Sequence, residues 1–267
     1  MRKFFLKIHR WLAIPFGIFF AILCFTGMLL TFRHEIAAMC GVSNDHDLAF
    51  FRAVQSMHQF LFMSPASHDS MSVGKFIIGI TALCSILILI SGIIIWWPSN
   101  KKMLKNRFSV HFHKGWHRFV YDSHVSLGIY AVIFLLLMAL TGPTMSFRWY
   151  EKGASAVVGM KSNAQNEHFG KPFNQVGNQQ PQAVNSHHET TLSDKAQLNK
   201  HDNHGPMNSH RFFMKLHGGQ WIGFVGEIIY FFAALIGGFL PISGYYMWWR
   251  RWKNRKRRAS QSVAEKA

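Results

Sequence analysis

Apolar residues in this chain fall into four long blocks separated by polar and basic stretches, at roughly Trp11–Phe32, Gly74–Trp97, Val125–Phe147 and Trp221–Trp249. Crossing a bilayer as an α-helix takes about 20 consecutive apolar residues, and each block is long enough. Backbone polar groups in lipid must be satisfied within the segment, so the blocks predict helices. The expected fold is an all-α integral membrane protein with four transmembrane helices.

The blocks come in two copies. His9 is followed by Thr26-Gly27 and Phe32-Arg33, and His124 is followed at the same offsets by Thr141-Gly142 and Phe147-Arg148. After each copy, Ser91-Gly92 leads to Trp96-Trp97 and Ser243-Gly244 leads to Trp248-Trp249. Repetition at a fixed spacing fixes the architecture, here two repeated helical hairpins. The division expected along the chain is 1–147 for the first hairpin and third span, 148–220 for a polar loop, 221–249 for the fourth span, and 250–267 for a basic tail.

Charge sets the orientation. The net charge is +17, yet 18 of the 29 Lys and Arg lie in residues 1–10, 98–121 and 250–267. Short basic segments stay on the cytoplasmic side, which predicts both termini and the 98–121 loop inside. The Arg250–Arg258 run is then an anchor for anionic lipid, and nucleic acid is not an expected partner. The first block is too long for a cleaved signal core. The three cysteines make no disulfide framework.

The expected outward loop from about 152 to 215 is rich in Asn, Gln, His and Ser and too polar to bury a core of its own. It is read as a flexible, solvated segment, with His168, His187, His188, His201, His204 and His210 as conceivable metal traps. No phosphate-cradling or dinucleotide motif occurs, so an electron donor would have to be a separate molecule.

Sixteen histidines remain. The repeat makes His9 and His124 equivalent, so they are expected to face one another at the inner side. Two neutral imidazoles in a dry helical bundle suit a hexacoordinate haem iron, with zinc or copper as rivals. On the outer side, His34, His58 and His217 are the candidates. The repeat favours His58 with His217. Helix geometry favours His34, which lies about 37 Å from His9 on nearly the same helical face. Both pairings stay open at this point. Arg33 and Arg148 are candidate partners of haem propionates, and Glu227 is an intramembrane carboxylate with a functional or a capping role.

These motifs in their order resemble the PepSY-associated transmembrane helix family of bacterial inner-membrane proteins. The resemblance rests on His9-Arg10-Trp11, Thr26-Gly27, Phe32 through Glu35, Met57-His58, Ser91 through Trp97, Asp122 through Gly128, Leu216-His217 and Gly244 through Trp249. It implies a four-helix core that holds b-type haem, two haems here, on His9, His124, His34, His58 and His217. It further implies a membrane-bound ferric reductase acting on iron delivered by siderophores. Loop 33–73 has no room for the periplasmic PepSY domain of larger members, and loop 148–220 is long enough but too polar. A non-redox accessory subunit of an iron or siderophore uptake system is the alternative, and a metal-ion permease a weaker third.

Overall fold

The computed structural model describes residues 2–41, 48–63, 71–98, 104, 107–110, 115–160 and 208–264. Eight α-helices are described: α1 (Arg2–Thr31), α2 (Arg33–Met39), α3 (Ala49–Phe60), α4 (Val73–Trp96), α5 (Trp116–Ser146), α6 (Arg148–Val158), α7 (Ser209–Gly218) and α8 (Phe224–Ala264), with a short 3₁₀ turn at Gln220–Ile222. Four of them, α1, α4, α5 and α8, are long and apolar enough to cross a membrane. No strand occurs among the described residues.

The four long helices form a closed ring in which α1 and α5 each pack on both α4 and α8. The short helices follow the repeat. Helix α3 lies on α1, and α7 lies on α5. Helices α2 and α6 begin at the repeat-equivalent residues Arg33 and Arg148.

Three boundaries differ from the sequence expectation. Helices α1 and α5 start at Arg2 and Trp116 rather than Trp11 and Val125, so His9 and His124 lie inside helices. Basic and polar first turns remain helical because a helix end needs only water or headgroups as partners. At the other extreme, α8 does not stop at Trp249 but continues through the basic run to Ala264.

The polar stretch 148–220 is helical at both ends. Its apolar content is low, but Ser209 and Phe213 bury one stripe of α7, while Glu151 and Ser155 bury one of α6. Spacing of i and i+4 places such pairs on one helical face. Ser209 Oγ donates to Glu151 Oε1 at 2.6 Å, and Ser155 Oγ lies 3.0 Å from the same oxygen. Thus α6 and α7 are latched by a buried, satisfied carboxyl group. His168, His187, His188, His201 and His204 lie outside the described residues.

The core sits between the two ends of the ring. Cys24, Leu89, Ala131, Leu135, Ala139 and Ala233 form it, one or more from each long helix. Large apolar side chains on the outside, such as Ile18, Leu87, Ile133 and Ile242, are exposed, as expected where lipid is the solvent. With lipid outside there is little hydrophobic drive between helices, so close approach through small residues supplies the packing. A Cβ at Gly237 would stand 2.7 Å from Leu135 Cδ2 and 2.8 Å from Cys24 Sγ, and one at Gly238 would stand 2.7 Å from the Phe25 ring. Two further glycines fix the short helices. At Gly74 a Cβ would collide with the Phe60 carbonyl, which locks the end of α3 onto α4. Gly219 ends α7 at φ +80°, and a Cβ there would meet the Tyr230 ring at 2.8 Å.

Overpacking a tight contact costs about 1–3 kcal/mol. Gly237→Val is therefore expected to lower the thermal unfolding midpoint in detergent. An exposed change on the lipid face, Ile133→Val, is expected to leave it nearly unmoved. Equal midpoints for the two variants would show that the Gly237 contact does not hold the ring together.

Candidate functional site

Four histidines enter the ring interior, and each is held in the same way. His9 Nδ1 lies 3.1 Å from Ser91 Oγ and 3.0 Å from the Ile88 carbonyl. His217 Nδ1 lies 2.9 Å from Thr141 Oγ1 and 3.1 Å from the Met138 carbonyl. His124 Nδ1 lies 2.7 Å from Ser243 Oγ, with the Leu240 backbone as its second partner. His58 Nδ1 lies 2.8 Å from Thr26 Oγ1, with the Leu23 backbone as its second partner. The carbonyl always belongs to the residue three before the hydroxyl.

The glycine after each hydroxyl completes the seat. A Cβ at Gly92, Gly244, Gly27 or Gly142 would fall 3.5, 3.8, 3.3 and 3.7 Å from Cε1 of His9, His124, His58 and His217 respectively. Each imidazole therefore rests on a Ser/Thr-Gly dipeptide of another helix. The hydroxyls are themselves fixed: Thr26 Oγ1 donates to the Ile22 carbonyl at 2.7 Å, Thr141 Oγ1 to Leu137 at 2.8 Å, Ser91 Oγ to Ile88 at 2.8 Å, and Ser243 Oγ to Leu240 at 2.9 Å. With its only proton given to the backbone, each oxygen faces the ring as an acceptor, and a carbonyl can do nothing else. Nδ1 must then be the protonated nitrogen. The lone pair is left on Nε2, the tautomer a metal ligand needs.

The four seats form two floors. His58 and His217 meet at one end, with ring centroids 6.3 Å apart and an interplanar angle of 58°. At the other end the His9 imidazole is near enough to act electrostatically on His124. From His9 to Thr26 on α1, and from His124 to Thr141 on α5, 17 residues separate the floors, or about 25 Å of helix. Between them lies the apolar core.

At the His58 floor, loss of hydration pushes the His58 pKa down to about 3, helped by the neighbouring His217 and opposed by the Leu23 backbone. Loss of hydration also lowers that of His217, against the Met138 carbonyl. Yet neither ring counts as fully buried by surface area. Both statements hold if the rings border an interior space. The His58 floor thus brings two neutral imidazoles together.

His34 stands apart. It is exposed, its Nε2 lies 3.4 Å from Arg33 Nε, and its other charged neighbour is Glu227. The structure brings His9 to His124 and His58 to His217, and does not bring His34 to either floor. Sequence alone marked Thr26, Thr141, Ser91 and Ser243 only as repeat punctuation. Their place before a glycine, in register with the histidines in both copies, was the available signal.

Residues 6–44 and 39–251 match the sequence profile of the PepSY-associated TM region. The chain belongs to the PepSY-associated TM family. No curated protein matches it. Among the described residues of this PepSY-associated TM protein, no group of three or more His, Cys, Asp or Glu side chains is placed to hold a bare metal ion. Each floor brings together two imidazoles.

Acid should expose the state of these rings. His58 and His217 are neutral when folded and ordinary, near pKa 6.5, when unfolded. The unfolded chain therefore binds more protons below pH 6.5, so this contribution to stability is complete above 6.5 and is lost as the pH falls toward 3. Nitrogen-15 NMR of histidine-labelled protein is expected to show an Nδ1–H, Nε2-unprotonated ring for His58 at pH 5. An Nε2–H, Nδ1-unprotonated ring would contradict the seat, and an imidazolium would contradict the loss of hydration.

Proposed function

We propose that this protein carries electrons across the membrane through two b-type haems and reduces ferric iron brought by a siderophore on the outer side. The observation that carries this is the pair of floors, each bringing together two imidazoles whose Nδ1 is held by a Ser or Thr seat on a neighbouring helix. His9 and His124 would hold the haem of the inner floor, and His58 and His217 that of the outer floor.

The donor set fits an iron porphyrin. Two neutral imidazoles suit a haem iron; His58 and His217, with ring centroids 6.3 Å apart, would hold one such group, and His9 and His124 the other. Near the inner floor, the buried Trp96 Nε1 has no hydrogen-bond partner among the described residues, and a bound group with an acceptor oxygen would satisfy it.

Haem supplies the one-electron chemistry when bound, and the protein sets position and potential. In the neutral ring each seat fixes the proton on Nδ1 and leaves the lone pair on Nε2, and the apolar core between the floors excludes water and small ions. Each electron reduces one Fe(III) to Fe(II) on the outer side. The donor is a separate molecule on the inner side or a membrane quinol, which gives two electrons and two protons. Inner-membrane placement follows from the family resemblance, and both termini inside from the basic segments.

Absorption spectra of the protein in mild detergent test the proposal. Oxidised and dithionite-reduced samples are expected to show a Soret band and a sharp reduced α band. His124→Ala and His217→Ala should each remove one centre and leave the other, while His34→Ala should leave both. Absence of haem bands after haem supply would overturn the proposal in favour of a non-redox accessory subunit of an iron or siderophore uptake system.

A further inference from the structure

The pseudo-twofold repeat is broken in charge at the His58 end, and the break is local. Lys75 stands 16 residues before Ser91, and Glu227 stands 16 before Ser243, so the two are equivalent positions on α4 and α8. Each faces the start of the short helix that follows the opposite hairpin's first span. On one side, Phe32 packs on Phe231 with centroids 5.4 Å apart, and Glu227 meets Glu35 of α2. On the other, Phe147 packs edge-on against Phe76 at 6.2 Å and fills the space over Gly79.

Lys75 and Arg148 directly flank those two rings, and their charges lie near enough to repel. The fold does not require a cation at this place, since its equivalent on the other side is Glu227. The same Lys75 ammonium lies 6.0 Å over the Phe60 ring, and Phe60 is two residues beyond His58 on α3. Two converging cations thus stand on the α4–α6 side of the bundle, at the same end as the His58–His217 floor. Arg33, the equivalent of Arg148, is engaged elsewhere: its Nη1 donates to Gln55 Oε1 at 3.0 Å.

We propose that Lys75 and Arg148 form a carboxylate-binding pair at the same end as the His58–His217 floor. Both side chains make other contacts as well, and the proposal needs only their convergence. Arg offers a planar fork that fits a carboxylate, and Lys adds a point charge. The carboxylate comes from one of two sources: a propionate of the group held by His58 and His217, or a carboxylate-bearing iron chelate arriving from outside. The first source rests on the haem proposal and the second does not.

Purified protein is compared as wild type, Lys75→Gln, Arg148→Gln and the double variant, with exposed Lys152→Gln as control. One measurement is a redox titration of the haem centres; the other is calorimetric titration with citrate. A propionate source predicts a roughly tenfold loss in the reduction equilibrium of one centre only, about 59 mV for one electron, with citrate binding unaffected or absent in every form. A chelate source predicts citrate binding by the wild type that weakens at least tenfold in the double variant, with both midpoints unmoved. Lys75→Arg and Arg148→Lys should retain the wild-type result in either case, which separates charge from folding. Unchanged midpoints together with unchanged or absent citrate binding would overturn the proposal. Protein without haem would sink the electron-transfer reading, and the citrate titration would still decide this one.

Discussion

Everything at the two floors depends on one hydrogen bond made four times, from an imidazole Nδ1 to a Ser or Thr oxygen that has already spent its proton on its own helix. Because the oxygen accepts and the adjacent carbonyl accepts, the ring has a single possible tautomer. A glycine beside the hydroxyl lets the ring approach in van der Waals contact with the neighbouring backbone. Remove the hydroxyl and the ring keeps one of its two anchors; add a side chain at the glycine and it loses its place. The chemistry of the interior is thus set by residues that carry no charge and no reactive group.

This constraint explains why the ring of helices is built as it is. His9 on α1 reaches a seat on α4, and His124 on α5 reaches one on α8. His58 and His217 reach back from α3 and α7 to seats on α1 and α5. Every seat joins two elements of one repeat, α3–α1–α4 in the first and α7–α5–α8 in the second. A span-only view makes α3 and α7 seem incidental, yet each carries a histidine and is pinned by a close contact, at Gly74 and at the Glu151–Ser209 latch. Buried polar groups in such a place are tolerable because each is satisfied.

The four spans were legible because lipid imposes long apolar runs, and the pairing of hairpins was legible because duplication kept Thr26-Gly27 and Thr141-Gly142 in register with His9 and His124. The outer pairing was not. His58 and His217 stand in segments of different length and composition, and α7 hides within a stretch that reads as solvated. His34 looked equally placed on helical geometry alone, since a 25-residue spacing returns to nearly the same face. What decides between them is where the chain turns: α1 ends at Thr31 and α2 starts afresh at Arg33, so the face count that linked His9 to His34 no longer applies.

The same break in helical continuity shows what duplication conserves and what it releases. Seats recur in both copies, and each floor takes one histidine from either copy. Charge outside the floors does not recur in the same way. At the His58 end, one repeat position carries Lys75 and its twin Glu227, and the neighbouring positions carry Arg148 and Arg33 in different company. A symmetric guest would give the two sides equal work. Lys75 and Arg148 stand together on the α4–α6 side, while Glu227 and Glu35 stand together on the α8–α2 side with Arg33 turned to Gln55.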